Sequence, residues 1–316
     1  MIISTCPLRI SLVGGSTDNP RFIEKYKTGS VINFASNLRT YSTLHADTFG
    51  YSSIDHKYVL NYSTREESET IDNIKNQLIR ECFKYLNVDK INCSLTSDIF
   101  SSGSGLASSS SYLMSLIKSI YEFRNQKITD FEICKLAIKI EKIFNPLVGQ
   151  QDFYGGGIGG LKKITFFENE DPTIRFLNTD IFQKMDMYLI YTGIYRQSTN
   201  ILETINTDNS LILIKDVNDL ESAINELDVD KFSNIMKRSW ENKKLTSPDI
   251  CSNELSTLDK KLNIDKNILS HKLCGAGGGG YFLIFTNKNI ENLLYNSYKN
   301  IKQVNISETG ISFNKI

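Results

Sequence analysis

Charge of either sign in excess is missing from this sequence. Its 316 residues hold 36 Lys and Arg against 36 Asp and Glu, a formal net charge of zero. A broad nucleic-acid-binding face draws its affinity from surplus positive charge, so none is expected. A local basic pocket for a phosphorylated metabolite is compatible with this balance. Proline is scarce, at five residues, and no internal repeat accompanies the 19 glycines, which excludes collagen-like and Pro-rich linker architectures. No run approaches the roughly 20 apolar residues of a membrane span, so no membrane partner is expected. Met1–Pro7 lacks a basic segment and a long apolar core, and reads as a first strand instead of a signal peptide. The six cysteines (6, 82, 93, 134, 251, 274) contain no CxxC pair, and the three histidines (45, 56, 271) have no metal-ligand spacing. Buried reduced thiols in a cytoplasmic protein fit better than a zinc site or a disulfide framework.

What is present is enough apolar material for a real core: 40% of residues are hydrophobic and 10% aromatic. At about 150 residues per domain, the length suggests two domains or one large one. Alternation predicts strands at Ile2–Ile10, with Pro7 at an edge or bulge, and at 91–95, 164–167, 187–191 and 281–285. Strand-like runs also mark Tyr41–Leu60, with a turn near Gly50. Helical spacing covers Ile71–Leu86 and the stripe Leu113, Leu116, Ile117, Ile120. Thr129-Asp130-Phe131-Glu132 is a capping box opening a helix striped by Ile133, Ala137, Ile140 and Phe144, which Asn145-Pro146 should stop. Glycines punctuate 149–160, and helical segments run through 198–262. Strands and helices mix without a regular βαβ repeat, so the class is α+β. A domain boundary is expected near 180, giving halves 1–180 and 181–316.

Four constellations could carry chemistry. Ser102–Ser111 is a Gly/Ser loop between a predicted strand and an amphipathic helix. Small residues let backbone N–H groups approach an anion, and the helix start adds unpaired donors and a positive dipole end. It is not a Walker A loop, because GxxxxGK[ST] is absent. Next, Glu141 flanks an apolar helix stripe, where a carboxylate either reaches water or pairs with something buried. Asp152 follows among glycine turns, which would leave its oxygens free for a ligand; a local Asx-turn is the plainer reading. Third, Cys274–Gly280 contains four consecutive glycines. Gly275, Gly277 and Gly280 match GxGxxG, as do Gly155, Gly157 and Gly160. A dinucleotide fingerprint follows a strand and opens a helix, whereas the second run precedes a strand, which argues against NAD binding. Last, Pro7–Asp18 places a strand-end Arg9 and a loop Asp18 close enough to share a pocket.

Together Pro7–Asp18, Ser102–Ser111 and Lys272–Gly280 resemble, in order, the three motifs of the GHMP kinase superfamily. The middle motif reads Gly105-Leu106-Ala107-Ser108-Ser109, lacking the usual leading Pro and carrying Ala107 where the superfamily has Gly. Pro7-Leu8-Arg9-Ile10-Ser11, Gly14–Asp18, Gln151–Tyr154, Tyr191–Arg196 and Trp240–Lys244 look most like the heptose 7-phosphate kinase branch. The resemblance implies a two-domain α+β fold with the active site in the cleft between the halves. It implies ATP held by Gly103, Ser104, Gly105, Leu106, Ala107, Ser108 and Ser109, and Mg²⁺ bound by Ser109 and Glu141. Asp152 would be the base, and Arg9 would orient the attacking hydroxyl or offset charge. Gly15, Thr17, Asp18, Gly277 and Gly278 would contact the sugar, and Arg196 and Lys272 its phosphate. The expected partner is a small-molecule sugar phosphate, and a homodimer is compatible with the resemblance. The alternatives are a kinase for another sugar, of galactokinase or fucokinase type, and a non-catalytic sugar sensor on the same fold.

Overall fold

The computed structural model describes residues 1–46, 57–100, 103–194 and 206–316. The chain opens with β1 (Ile2–Val13), and the period-2 alternation of a strand decides what this segment does. Leu8, Ile10 and Leu12 point to one face and enter a hydrophobic core. Arg9 and Ser11 point to the other face and line a polar cavity. Pro7 sits where the ladder to the next strand shifts register, and the flanking strand β12 (Ser312–Lys315) pairs only with Ile2–Thr5. Its missing N–H therefore breaks no ladder bond.

β2 (Thr28–His45) is an 18-residue strand whose first part, 28–40, the alternation rule does not reveal. Residues 29–36 are buried on both faces, so the hydrophobic and polar positions do not alternate. Its N-terminal half pairs with β6 (Leu161–Phe167) and its C-terminal half with β5 (Asn92–Ser97). β3 (Tyr58–Asn61), β4 (Arg65–Ser68) and β7 (Thr173–Phe176) complete an eight-stranded sheet ordered β12-β1-β2-β5-β3-β4, with β6 and β7 branching from β2. A second sheet runs β11-β8-β10-β9. It is built from β8 (Asp186–Tyr191), β9 (Ile268–Leu273), β10 (Tyr281–Thr286) and β11 (Ile301–Gln303).

Helices cover these sheets. One face of the first sheet carries α2 (Gln77–Leu86), α3 (Ser108–Phe123), α4 (Asp130–Glu141) and α5 (Gln151–Gly157), and a short α1 (Pro20–Tyr26) follows β1. Between the two sheets, α6 (Ile212–Glu226) and α7 (Val229–Lys244) contribute Val217, Leu220, Phe232 and Met236 to a core shared with Ile10, Phe34, Leu189 and Leu283. This shared core joins the two halves of the chain. α8 (Asn253–Ile264) and α9 (Glu291–Ser297) cover the outer face of the second sheet. The arrangement is the expected α+β mixture, built on two sheets, with the C-terminal strand β12 returning to the first.

Two local expectations are corrected. The helix expected over Ile71–Leu86 is a single 3₁₀ turn at Ile71–Asn73 and then α2, which starts at Gln77. Asn76 is its cap, with Oδ1 accepting from the Ile79 N–H at 3.1 Å. The glycine segment 149–160, expected as turns, contains α5. Its glycines serve packing: a Cβ at Gly155 would lie 2.3 Å from Arg9 Cγ, and one at Gly156 would lie 2.7 Å from the Pro7 carbonyl. α5 can therefore rest on β1 at backbone distance. The capping box at Thr129 forms as expected.

The far end of α5 is held by Lys162, a fully buried lysine of β6. Its ammonium donates to the carbonyls of Gly155, Ile158, Gly159 and Gly160 at 3.0, 2.6, 3.3 and 3.1 Å. Burial pushes its pKa down to about 7, while four acceptor-only carbonyls favour the protonated form. We expect Gly155→Ala to destabilise the chain by about 2 kcal/mol through overpacking against Arg9. A thermal melt should fall by several degrees, and an unchanged melting temperature would show that α5 does not lie against β1 this closely.

Candidate active site

Strand β1, the starts of α3 and α5, the end of α4, the last turn of α7 and the end of β9 meet around one cavity of about 190 Å³.

One wall is the serine loop. Ser104 Oγ and Ser108 Oγ share a hydrogen bond of 2.8 Å, and the Leu106 N–H donates to Ser104 Oγ at 3.2 Å. Ala107 caps α3 in the left-handed region at φ 60°, a conformation that costs a non-glycine residue about 1–2 kcal/mol. Gly103, Ser104, Gly105, Ala107, Ser108 and Ser109 line the cavity around the N-terminus of α3. The free donors of that helix end make it an anion site. The Leu106 side chain is buried in the inter-sheet core, which leaves its backbone to the loop.

The glycine run after β9 supports this loop. A Cβ at Gly105 would stand 2.4 Å from the Cys274 carbonyl, and one at Gly275 would stand 2.5 Å from Gly105 Cα. Both residues have φ of 74°. The two loops thus touch backbone to backbone, which only glycine permits here. Gly277 lines the cavity, whereas Gly278 turns away and donates its N–H to the Ile250 carbonyl at 2.8 Å.

Asp152 sits in the first turn of α5 and forms an ion pair with Arg9. The Arg9 side chain is 4% exposed and that of Asp152 is 26% exposed, so the carboxylate is the partner open to the cavity. Arg9 also donates from Nη1 to the Gly105 carbonyl at 3.2 Å, and its backbone N–H reaches the Leu106 carbonyl at 3.0 Å. One arginine therefore fixes the carboxylate relative to the serine loop. Glu141, the last residue of α4, is buried and accepts from Ser110 Oγ at 2.9 Å and from Asn145 Nδ2 at 3.5 Å. Burial, and then the charge of Asp152, push it up to about 7. Among the described residues it has no ion-pair partner. A buried carboxylate lacking a cation fits a hard divalent ion, and Mg²⁺ is held by one or two carboxylates plus substrate phosphates. No cluster of three or more His, Cys, Asp or Glu side chains suited to a metal exists among the described residues. Ser109 lines the same cavity, but the hydroxyl bonded to Glu141 belongs to Ser110, which sequence reasoning missed.

The acceptor-side expectations divide. Gly15 and Asp18 line the cavity. Both Asp18 oxygens are engaged by Gln151, from the backbone N–H at 3.0 Å and Nε2 at 2.9 Å. Asp18 thus anchors the first turn of α5, and burial followed by the Asp152 charge raises it to about 6. Thr17 does not face the cavity. Its hydroxyl is buried and bonded to the Gly14 and Ser30 carbonyls at 2.8 and 2.9 Å, so it holds the loop shape. Lys272 lines the cavity and Arg196 lies outside the described residues. Ser11, Gln151 and Lys243 also line it, and none was anticipated. Ser11 had a signal, since it alternates with Arg9 along β1; Lys243 had only its place in the Trp240–Lys244 segment, which marks no residue as facing a cavity.

The model of the GHMP kinases N terminal domain matches residues 73–155. That stretch includes the serine loop, Glu141 and Asp152. A D-glycero-alpha-D-manno-heptose 7-phosphate kinase of Campylobacter jejuni is 29% identical, over 88% of this chain and 87% of that one. The chain is thus similar to the GHMP kinases over residues 73–155, and to this kinase over most of its length. An L-fucokinase/L-fucose-1-P guanylyltransferase of Bacteroides fragilis is 27% identical over 87% of this chain and 33% of that longer protein. A likeness of fold extends over the whole chain: the crystal structure of a D-glycero-D-manno-heptose 1-phosphate kinase from Bacteroides thetaiotaomicron superposes with a TM-score of 0.78 at 20% identity, covering 100% of this chain and 99% of that one.

In this site, the position of Glu141 has a thermodynamic signature. Its carboxyl titrates near 7 in the folded chain and near 4.5 when unfolded. Its stabilising neutral form is present below 4.5 and lost as pH rises through 7. At pH 8 the metal-free chain therefore bears the burial of a full charge. We expect Glu141→Gln to raise metal-free stability by about 2 kcal/mol at pH 8 and by almost nothing at pH 4. Melts at both values check this; equal effects at the two pH values would contradict it.

Proposed function

We propose that this chain is an ATP-dependent sugar kinase, and that its acceptor is the anomeric hydroxyl of D-glycero-D-manno-heptose 7-phosphate, giving the 1,7-bisphosphate and ADP. The observation that carries the transfer chemistry is the ion pair of Arg9 with Asp152, held against the serine loop and beside Glu141. The substrate class is supported by the kinase from Campylobacter jejuni, alike over most of both chains.

Phosphoryl transfer asks a protein chiefly for positioning and neutralisation of charge. In this reading, Gly103, Ser104, Gly105, Ala107, Ser108 and Ser109 with the N-terminus of α3 bind the ATP phosphates. Glu141 with Ser109 or Ser110 would hold Mg²⁺, which would supply neutralisation of the charge that develops during transfer. Asp152 accepts the proton of the attacking hydroxyl, and it is the more open member of its pair. Arg9 orients that carboxylate through their ion pair. Gly15 and Asp18 form the sugar wall, with Asp18 acting mainly by fixing Gln151. Lys272, together with Arg196, takes the acceptor phosphate.

The fucokinase relative favours a second reading, transfer to an unphosphorylated deoxyhexose. A panel of sugars and sugar phosphates in a coupled ADP-release assay separates the two. Turnover of the heptose 7-phosphate well above L-fucose and galactose is expected; the reverse order would replace the heptose assignment. With the preferred sugar, Asp152→Asn should fold and bind Mg–ATP but lose about 10²–10⁴-fold in kcat. Near-normal kcat would remove Asp152 as the base.

A further inference from the structure

The cavity contains a lysine that the transfer chemistry does not use. Lys243 lies in the last turn of α7, where a lysine ordinarily serves its own helix end or meets water. Its neighbour Lys244 behaves that way, pairing with Glu241 at 2.7 Å and Asp259 at 3.1 Å. Lys243 is instead buried, 8% exposed, and crosses to the loop after β1. There its ammonium donates to Ser16 Oγ and, at 3.3 Å, to the Gly15 carbonyl. Lys272 reaches the same segment from β9, donating to the Leu12 carbonyl at 2.8 Å.

All these acceptors are neutral. Among the described residues, neither lysine forms an ion pair with a carboxylate, and the Arg9 charge nearby is matched by Asp152. A buried ammonium without a counter-ion costs several kcal/mol. Here each is pushed down, Lys243 to about 7 and Lys272 to about 8, by burial and by the neighbouring cations. Two like charges on five residues of chain are a poor arrangement for an empty pocket and a good one for a dianion.

Unsatisfied polar atoms lie beside them. Ser11 Oγ and Gln151 Oε1 are buried on this wall with no hydrogen-bond partner. Both side chains flank Gly15: its missing Cβ would stand 3.5 Å from Ser11 Oγ and 3.6 Å from Gln151 Nε2. The Gly15 carbonyl is the one that Lys243 contacts. Buried orphans of this kind are rare in folded proteins, and here both belong to residues that line the cavity.

We infer that Lys243 and Lys272 clamp a phosphate monoester on the acceptor sugar while Ser11 and Gln151 bind its hydroxyls, so that this pocket selects phosphorylated sugars over free ones. The proposal deepens the sugar-kinase reading and rests on it for the reaction. The anion site itself is measured by binding.

The test uses the full chain with saturating Mg–AMP-PNP, which fills the nucleotide end. Calorimetry then compares D-glycero-D-manno-heptose 7-phosphate, the same heptose without phosphate, and inorganic phosphate. The wild-type chain should bind the phosphorylated sugar about 10- to 100-fold more tightly than the free one. Lys243→Met should erase most of that difference, and Lys243→Arg should keep part of it. Lys272→Met and Ser11→Ala weaken the same ligand independently, which covers a Lys243 variant that fails to fold. Equal affinities for phosphorylated and free sugar, or a folded Lys243→Met that keeps the difference, overturn the clamp. Binding of the sugar phosphate with no ADP release leaves the clamp standing and removes the kinase reading. Efficient ADP release from the free sugar alone does the opposite.

Discussion

The site depends on one guanidinium. Arg9 projects from the face of β1 opposite to Leu8 and Ile10, and a strand's two-residue period is what separates those roles. Its head group reaches Asp152 on α5 and the Gly105 carbonyl of the serine loop together. A planar fork with fixed donor directions can hold both at once, which a lysine could not. Arg9 thereby adds a side-chain tie from β1 to the first turn of α5, beside the bond from Ser111 Oγ to the Pro7 carbonyl that already holds α3 to this strand.

Around that tie the structure accepts several arrangements that disfavour stability. Glu141 is buried next to a second carboxylate, and Lys243 is buried next to a second lysine. Ala107 adopts a left-handed backbone, and Ser11 and Gln151 keep buried atoms unpaired. Each is unfavourable in the ligand-free chain, and each lines the same cavity. Strain and unpaired charge concentrated in one place are what a site that awaits charged ligands should show. The cost is offset elsewhere, in the core shared by both sheets and in Lys162, whose four carbonyl partners hold the end of α5 rigid.

Much of this was legible in the chain. The serine loop before an amphipathic helix, the capping box at Thr129 and the Arg9 strand could be read from local pattern, because each is set by its nearest neighbours in sequence. The glycines at 155–157 could not be read correctly, since glycine normally argues against a helix. They are helical because Arg9 and Pro7 leave no room for side chains on α5. Thr17 and Leu106 belong to motifs whose neighbours face the cavity, yet one stitches its loop and the other fills the core.

The sequence alone therefore determined the α+β class, the superfamily motifs and the identity of the two carboxylates. Those are properties of short segments, carried by spacing and residue type. Tertiary structure alone decided that Ser110 meets Glu141, that Asp18 is occupied with Gln151, and that Lys243 enters the cavity from a helix more than 200 residues beyond the loop it touches. Long-range contacts of this kind follow from how the two sheets pack across their shared core, and no local periodicity encodes that packing.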